Sequence, residues 1–138
     1  MFGKKKVEKP KNALSLVLFE YDLILNNELK NILTSIKLKK KINSLKAGKI
    51  FDNVSLKFDL YINDISKDKL KLDYRSDKAR DLIIEMLNQL KYLFIKLKDE
   101  DFDITSSALS NINDEFENVY TLRETIRKKL KDLEYEYI

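Results

Sequence analysis

The sequence predicts an α+β fold in which helices pack on a small antiparallel sheet and a long amphipathic helix ends the chain. Two observations predict a hairpin: apolar and polar residues alternate over about 52–63, and the alternation returns over 67–75. A third predicts the final helix, because apolar residues recur in steps of three and four from Leu109 onward. A chain of 138 residues is long enough to bury one hydrophobic core.

Three segments follow from this organisation. Residues 1–12 hold the only proline and no apolar periodicity, which predicts a flexible basic arm. We expect an α+β domain over 13–98. The long helix over 104–137 is expected either to pack on that domain or to self-associate.

The apolar segment 13–25 fits either a strand or a helix. In a strand its valine, phenylalanine and tyrosine share one face, while Glu20 and Asp22 lie on the other. In a helix its apolar side chains would point in every direction, which suits only a fully buried helix. Because Val, Phe and Tyr favour strands, we expect an additional strand over 13–24.

The next helix begins near Glu28 and carries two apolar stripes on opposite sides. Such a helix either lies between two elements or bends near Lys37–Lys41, and Gly48 is expected to end it. The two stripes consist of Leu29, Ile32, Leu33 and Ile36, and of Leu38, Ile42 and Leu45.

Charge predicts the register of the hairpin. If Leu60 lies opposite Leu70, oppositely charged side chains face each other on the exposed side of the sheet, whereas a slip by two residues brings like charges together. A helix capped by Ser76 or Asp77 follows and runs to about Lys98. Its wide apolar face is expected to cover the sheet.

Composition excludes the usual equipment of many enzyme classes. The chain has no cysteine and no histidine, so thiolate sites, imidazole triads and histidine zinc sites are excluded. Its two glycines cannot form a glycine-rich phosphate loop. We therefore expect a non-enzymatic protein that has no cofactor, no metal and no small-molecule substrate. The apolar run 13–25 is too short for a membrane span, which predicts a cytoplasmic protein.

The heptad pattern near the C-terminus predicts the principal site, which is a surface that binds a partner helix or a second copy in a coiled-coil homodimer. Alternatively, this helix packs antiparallel on the helix that ends at Lys98. Arg123 interrupts the pattern and either pairs with an acid or extends to water. In the homodimer, Ile126→Asp is expected to break the assembly and leave the domain folded. The C-terminal stripe consists of Leu109, Ile112, Phe116, Val119, Arg123, Ile126, Leu130, Leu133 and Tyr137.

A nucleic-acid-binding accessory function is the alternative, because lysines concentrate in the first half of the chain. Lysines neutralise phosphates without reading sequence. The lysine excess equally fits an AT-rich genome or an ordinary solvated helix surface. The lysine segment consists of Lys37, Lys39, Lys40, Lys41, Lys46 and Lys49.

Overall fold

The computed structural model describes residues 13–66, 72 and 74–134. These residues form five α-helices joined by short connections, together with a 3-10 turn at Ser107–Leu109. The helices are α1 (Ala13–Asn26), α2 (Lys30–Lys37), α3 (Ser44–Asp64), α4 (Tyr74–Asp99) and α5 (Ile112–Glu134). None of the described helices is both long and apolar enough to cross a membrane.

The expected α+β fold is wrong, because the described residues are helical and contain no strand. Residues 52–63 of the predicted hairpin lie within α3, and the predicted strand 13–24 lies within α1. Of the second hairpin strand, residues 67–71 and 73 lie outside the described residues, as does the predicted basic arm 1–12.

Helix α3 explains the error, because its sequence carries two periodicities at once. The alternation that includes Leu56 and Leu60 fits a strand. The buried residues Ala47, Phe51, Val54 and Phe58 instead recur in steps of four, three and four, which is the spacing of one helix face. Since only that face needs to be buried, a helix satisfies the segment and leaves Leu56 and Leu60 in solvent.

Helix α1 is buried along one side rather than all round. Leu14, Val17, Tyr21 and Ile24 are buried and lie three or four residues apart, whereas Leu23 is exposed. Their packing against other helices outweighs the preference of Val, Phe and Tyr for strands, because strand propensity is weak beside tertiary contacts. Asn27 follows α1 and donates its side-chain amide to the Leu23 carbonyl, 2.8 Å away.

The two opposed stripes of the predicted second helix belong to two separate helices. Helix α2 ends at Lys37, and Lys39 adopts a left-handed backbone (φ 58°) that redirects the chain. Asn43 then caps α3 by accepting a hydrogen bond from the Lys46 amide at 3.0 Å. Gly48 lies inside α3 and does not end a helix.

Helix α4 is the centre of the bundle, and its most extensive contact is with α5. Its wide apolar face, which the sequence predicts, contacts α1, α3 and α5 rather than a sheet. Phe94 stacks on Phe51 of α3 with ring centres 5.4 Å apart, and packs edge-on against Phe116 of α5 at 5.8 Å. Three helices thus meet at one aromatic cluster.

The connection between α4 and α5 reverses the chain direction. Asp101 and Phe102 both have left-handed backbones (φ 53° and 55°), and the Phe102 amide donates to the Leu97 carbonyl at 2.7 Å. The Phe102 side chain is buried in the core, which holds this unusual backbone in place. Lys96 Nζ then lies 2.9 Å from Glu115 Oε1, so α5 returns antiparallel along α4.

Tyr21 provides a prediction about this core. Its ring stacks on Phe58, and its buried hydroxyl has no hydrogen-bond partner among the described residues. Burial raises the pKa of Tyr21, so the neutral hydroxyl is retained. We expect Tyr21→Phe to stabilise the protein by about 1 kcal/mol, because it removes an unsatisfied polar atom and keeps the ring. Urea denaturation measures this change, and a loss of stability would show that the hydroxyl is hydrogen-bonded.

Candidate functional site

The structure places the C-terminal stripe inside the folded chain. Each described apolar member, from Leu109 to Leu133, is no more than 5% exposed and belongs to the single buried core. Tyr137 lies outside the described residues. Because α5 packs antiparallel on α4, the arrangement is the intramolecular alternative that the sequence left open. Self-association through this stripe would require α5 to leave α4, as in an exchange of helices between copies.

Arg123 interrupts the stripe because it faces a carboxylate on α1. Its Nε donates to Asp22 Oδ1 at 3.0 Å, and its Nη2 contacts Asp22 Oδ2. This hydrogen bond holds the pKa of Arg123 above its ordinary value. Of the two alternatives for Arg123, the structure has the ion pair, in a two-pronged geometry that defines how α5 lies beside α1.

A double-mutant cycle on Arg123 and Asp22 tests this pairing. We expect Arg123→Met and Asp22→Asn to show a coupling energy of about 1 kcal/mol in urea denaturation, since both groups are partly shielded from solvent and the contact is bidentate. Arg123 also contacts Glu124, so the cycle of Arg123→Met with Glu124→Gln is the matched control and should give a smaller coupling. Equal couplings would show that Asp22 has no special role.

The lysine segment lies at the end of the bundle where α2 ends and α3 begins. All six side chains are exposed, and none forms an ion pair with a carboxylate among the described residues. Lys39 and Lys41 line a cleft of about 720 Å³ together with Asp101 and Asp103 of the α4–α5 connection. These two carboxylates reduce the positive potential of the lysine segment on that side.

The acidic connection stabilises its own turn. Asp103 Oδ1 accepts hydrogen bonds from the Thr105 amide at 3.0 Å and from the Thr105 hydroxyl at 2.6 Å. These bonds hold the pKa of Asp103 below its ordinary value. Ser106 donates its hydroxyl to Glu100 at 2.6 Å and caps the following 3-10 turn. The local hydrogen bonds account for the positions of Glu100 and Asp103.

Large apolar side chains collect on the outward face shared by α3 and α4, a surface that the sequence does not reveal. Leu56 and Leu60 of α3 are 65% and 62% exposed, and Tyr92 and Ile95 of α4 are 59% and 46% exposed. Exposed apolar residues scattered singly need no explanation, whereas a contiguous group marks an interaction surface. The question is therefore whether these four side chains are adjacent.

Two ion pairs establish the alignment of α3 with α4. Lys98 Nζ lies 3.1 Å from Asp52 Oδ1, and Lys91 pairs with Asp59. From the first pair to the second, the residue number rises by seven on α3 and falls by seven on α4. The helices are therefore antiparallel and in register along about 10 Å.

This register brings the four side chains together. Leu56 follows Asp52 by four residues and Ile95 precedes Lys98 by three, so the two lie at similar heights along the helices. The same reasoning places Leu60 near the height of Tyr92. We name this surface, with Lys49 and Asp99 at its end, the α3–α4 face; it consists of Lys49, Leu56, Leu60, Tyr92, Ile95 and Asp99.

A helical interpretation of residues 44–64 would have revealed half of this surface. The expected sheet places Leu56 and Leu60 on a buried strand face, whereas both are exposed. In a helix whose buried side holds Phe51 and Phe58, both leucines point outward. Comparisons of the chain with protein-family models, with curated proteins and with solved structures find no match.

Proposed function

We propose that this chain is a non-enzymatic protein-interaction module that binds a protein partner through the α3–α4 face. The observation that carries the proposal is the exposure of Leu56, Leu60, Tyr92 and Ile95 on two neighbouring helices that are joined by ion pairs. None of the described helices covers them. An apolar centre bordered by charged residues is the usual anatomy of a protein interface. The cytoplasmic location expected from composition is part of this proposal.

The energetics favour a protein partner over an unoccupied surface. Removing one large aliphatic or aromatic side chain from water contributes about 1.5–3 kcal/mol before the entropic costs of association. Aromatic side chains such as Tyr92 are enriched among the residues that dominate binding energy. The ion pairs Asp52–Lys98 and Asp59–Lys91 border this apolar centre with charged groups, as in the polar rim of an interface.

Photo-crosslinking in cells of the organism that encodes the chain tests the proposal. A benzophenone side chain in place of Leu56 or Leu60 is expected to give one discrete adduct, because a docked partner lies within bonding distance. The control carries the same group in place of Asn118, an exposed residue of α5 outside the α3–α4 face. Adducts that are absent at both leucine positions, or equal at all three, would refute the proposal.

A nucleic-acid-binding function is the second candidate, supported by the six exposed lysines of the lysine segment. Together they form a basic surface at one end of the bundle that could contact several phosphates. Two neighbouring carboxylates, Asp101 and Asp103, oppose this surface on one side. Because the two carboxylates repel phosphates, nucleic acid is the second candidate and a protein partner is the first.

The second candidate predicts steeply salt-dependent binding of duplex DNA. Replacing Lys39, Lys40 and Lys41 with Gln is expected to weaken binding on all sequences alike and to reduce the slope of log K against log salt by about 3. Fluorescence anisotropy at several salt concentrations measures both effects. The matched control replaces Lys128, Lys129 and Lys131, which are exposed on α5, with Gln. Equal effects of the two triple variants would exclude a specific role for the lysine segment.

A further inference from the structure

We infer that the partner seated on the α3–α4 face is a second copy of this chain, related by a two-fold axis parallel to the helices. This inference rests on the proposed function and identifies the occupant of the same surface. The order of side chains along the two helices makes the face complementary to itself.

A two-fold axis in the plane of the interface carries α3 of one copy over α4 of the other and preserves height along the helices. The similar heights of these residues then bring Leu56 onto the partner's Ile95, and Leu60 onto the partner's Tyr92. Each contact occurs twice by symmetry. The result is an arrangement of four helices in two packed layers with a continuous apolar centre.

Charge complementarity supports the same arrangement. Lys49 precedes Asp52 by three residues and Asp99 follows Lys98 by one, so both lie at the same end of the α3–α4 face and within about 3 Å in height. Both are exposed, and neither forms an ion pair among the described residues. In the symmetric pair Lys49 of each copy meets the partner's Asp99, so this contact occurs twice, on the two sides of the axis at one end of the dimer interface.

The size of the face corresponds to a weak, reversible dimer. On α3 the face runs from Lys49 to Leu60, which corresponds to a length of about 18 Å, and two adjacent helices are about 20 Å wide. This area of about 350 Å² is well below the roughly 800 Å² per partner of a standard interface. We therefore expect a dissociation constant of about 100 µM.

Sedimentation equilibrium of the purified full chain over about 1–500 µM tests the inference. We expect a monomer–dimer equilibrium that Leu56→Asp or Leu60→Asp abolishes without changing the circular dichroism spectrum, because both side chains are exposed. The matched control is Leu38→Asp, since Leu38 is also a highly exposed leucine but lies outside the face. A wild-type chain that remains monomeric, or a dimer that persists in both Asp variants, would overturn the inference.

A charge exchange distinguishes the two-fold arrangement from other dimers. Lys49→Asp and Asp99→Lys are each expected to weaken dimerisation about tenfold, because each places like charges together at two points. Mixing the two single variants restores oppositely charged pairs at both of these contacts, so a heterodimer of wild-type affinity is expected. The variant with both changes should also regain that affinity. If neither combination recovers it, the arrangement is wrong.

The outcomes also separate this inference from the proposed function. A chain that is monomeric in sedimentation, yet forms an adduct of a different protein at position 56 in cells, retains the proposed function and loses the second copy as its partner. Absence of both dimer and adduct refutes both.

Discussion

Replacing Ile126 with aspartate is expected to unfold the bundle. Ile126 is fully buried where α5 meets the core, so the variant loses about 1.5–3 kcal/mol of apolar burial. It also places a carboxylate with no opposite charge in the core, which costs several kcal/mol more. The sum approaches the whole stability of a typical domain, about 5–15 kcal/mol. The expectation from sequence alone, that this change would only separate two copies, therefore reverses once the stripe is internal.

Circular dichroism and urea denaturation of Ile126→Asp measure this effect. Ile126→Val is the conservative control and should cost about 0.5–1.5 kcal/mol. Thr125→Asp introduces the same carboxylate at the neighbouring exposed position and should leave the fold intact. If Ile126→Asp kept a native spectrum while its solution mass fell, the stripe would be an interface between copies and the intramolecular packing would be refuted.

Phe94→Ala is expected to produce the second-largest effect, a loss of about 3–5 kcal/mol in the free energy of unfolding. Phe94 is buried and contacts Phe51 and Phe116, so its removal leaves a cavity where α3, α4 and α5 meet. The rings also lose their stacked and edge-on contacts, each contributing about 0.5–1.5 kcal/mol beyond area burial.

Chemical denaturation of Phe94→Ala and of Phe94→Leu separates cavity formation from the loss of aromatic contacts. The leucine variant retains much of the volume and should cost less than half as much as the alanine variant. A double-mutant cycle of Phe94→Leu with Phe51→Leu should show coupling, because the two rings are in direct contact. Similar small losses in all variants would show that the cluster is loosely packed.

The residues of α5 were predictable because each apolar side chain lies on one narrow line of a helix. Steps of three and four from Leu109 to Leu133 are incompatible with a strand, and these are the buried residues of the structure. The identity of the surface that covers them was not predictable. The hydrophobic effect is not directional, so an apolar stripe can be buried against α4 of its own chain or against a helix of another chain.

Helix α3 was mispredicted for a related reason. Residues 54–62 carry apolar side chains at both strand and helix spacing, so local pattern does not separate the two structures. Whether the segment forms a strand or a helix depends on the side chains of neighbouring helices that pack against it. Phe51 and Phe58 pack against Phe94 and Tyr21 of neighbouring helices, and these contacts favour a helix in which Leu56 and Leu60 remain in solvent.

The candidate site shows the same division between local and tertiary information. Composition alone excluded sites that need cysteine, histidine or a glycine-rich loop. Local periodicity alone identified α5 and the wide apolar face of α4. The α3–α4 face arises only when Asp52 and Asp59 pair with Lys98 and Lys91, because this register joins side chains more than 30 residues apart. Periodicity reports which side of each helix is apolar, whereas only the packed bundle determines which of those sides meet each other and which remain in water.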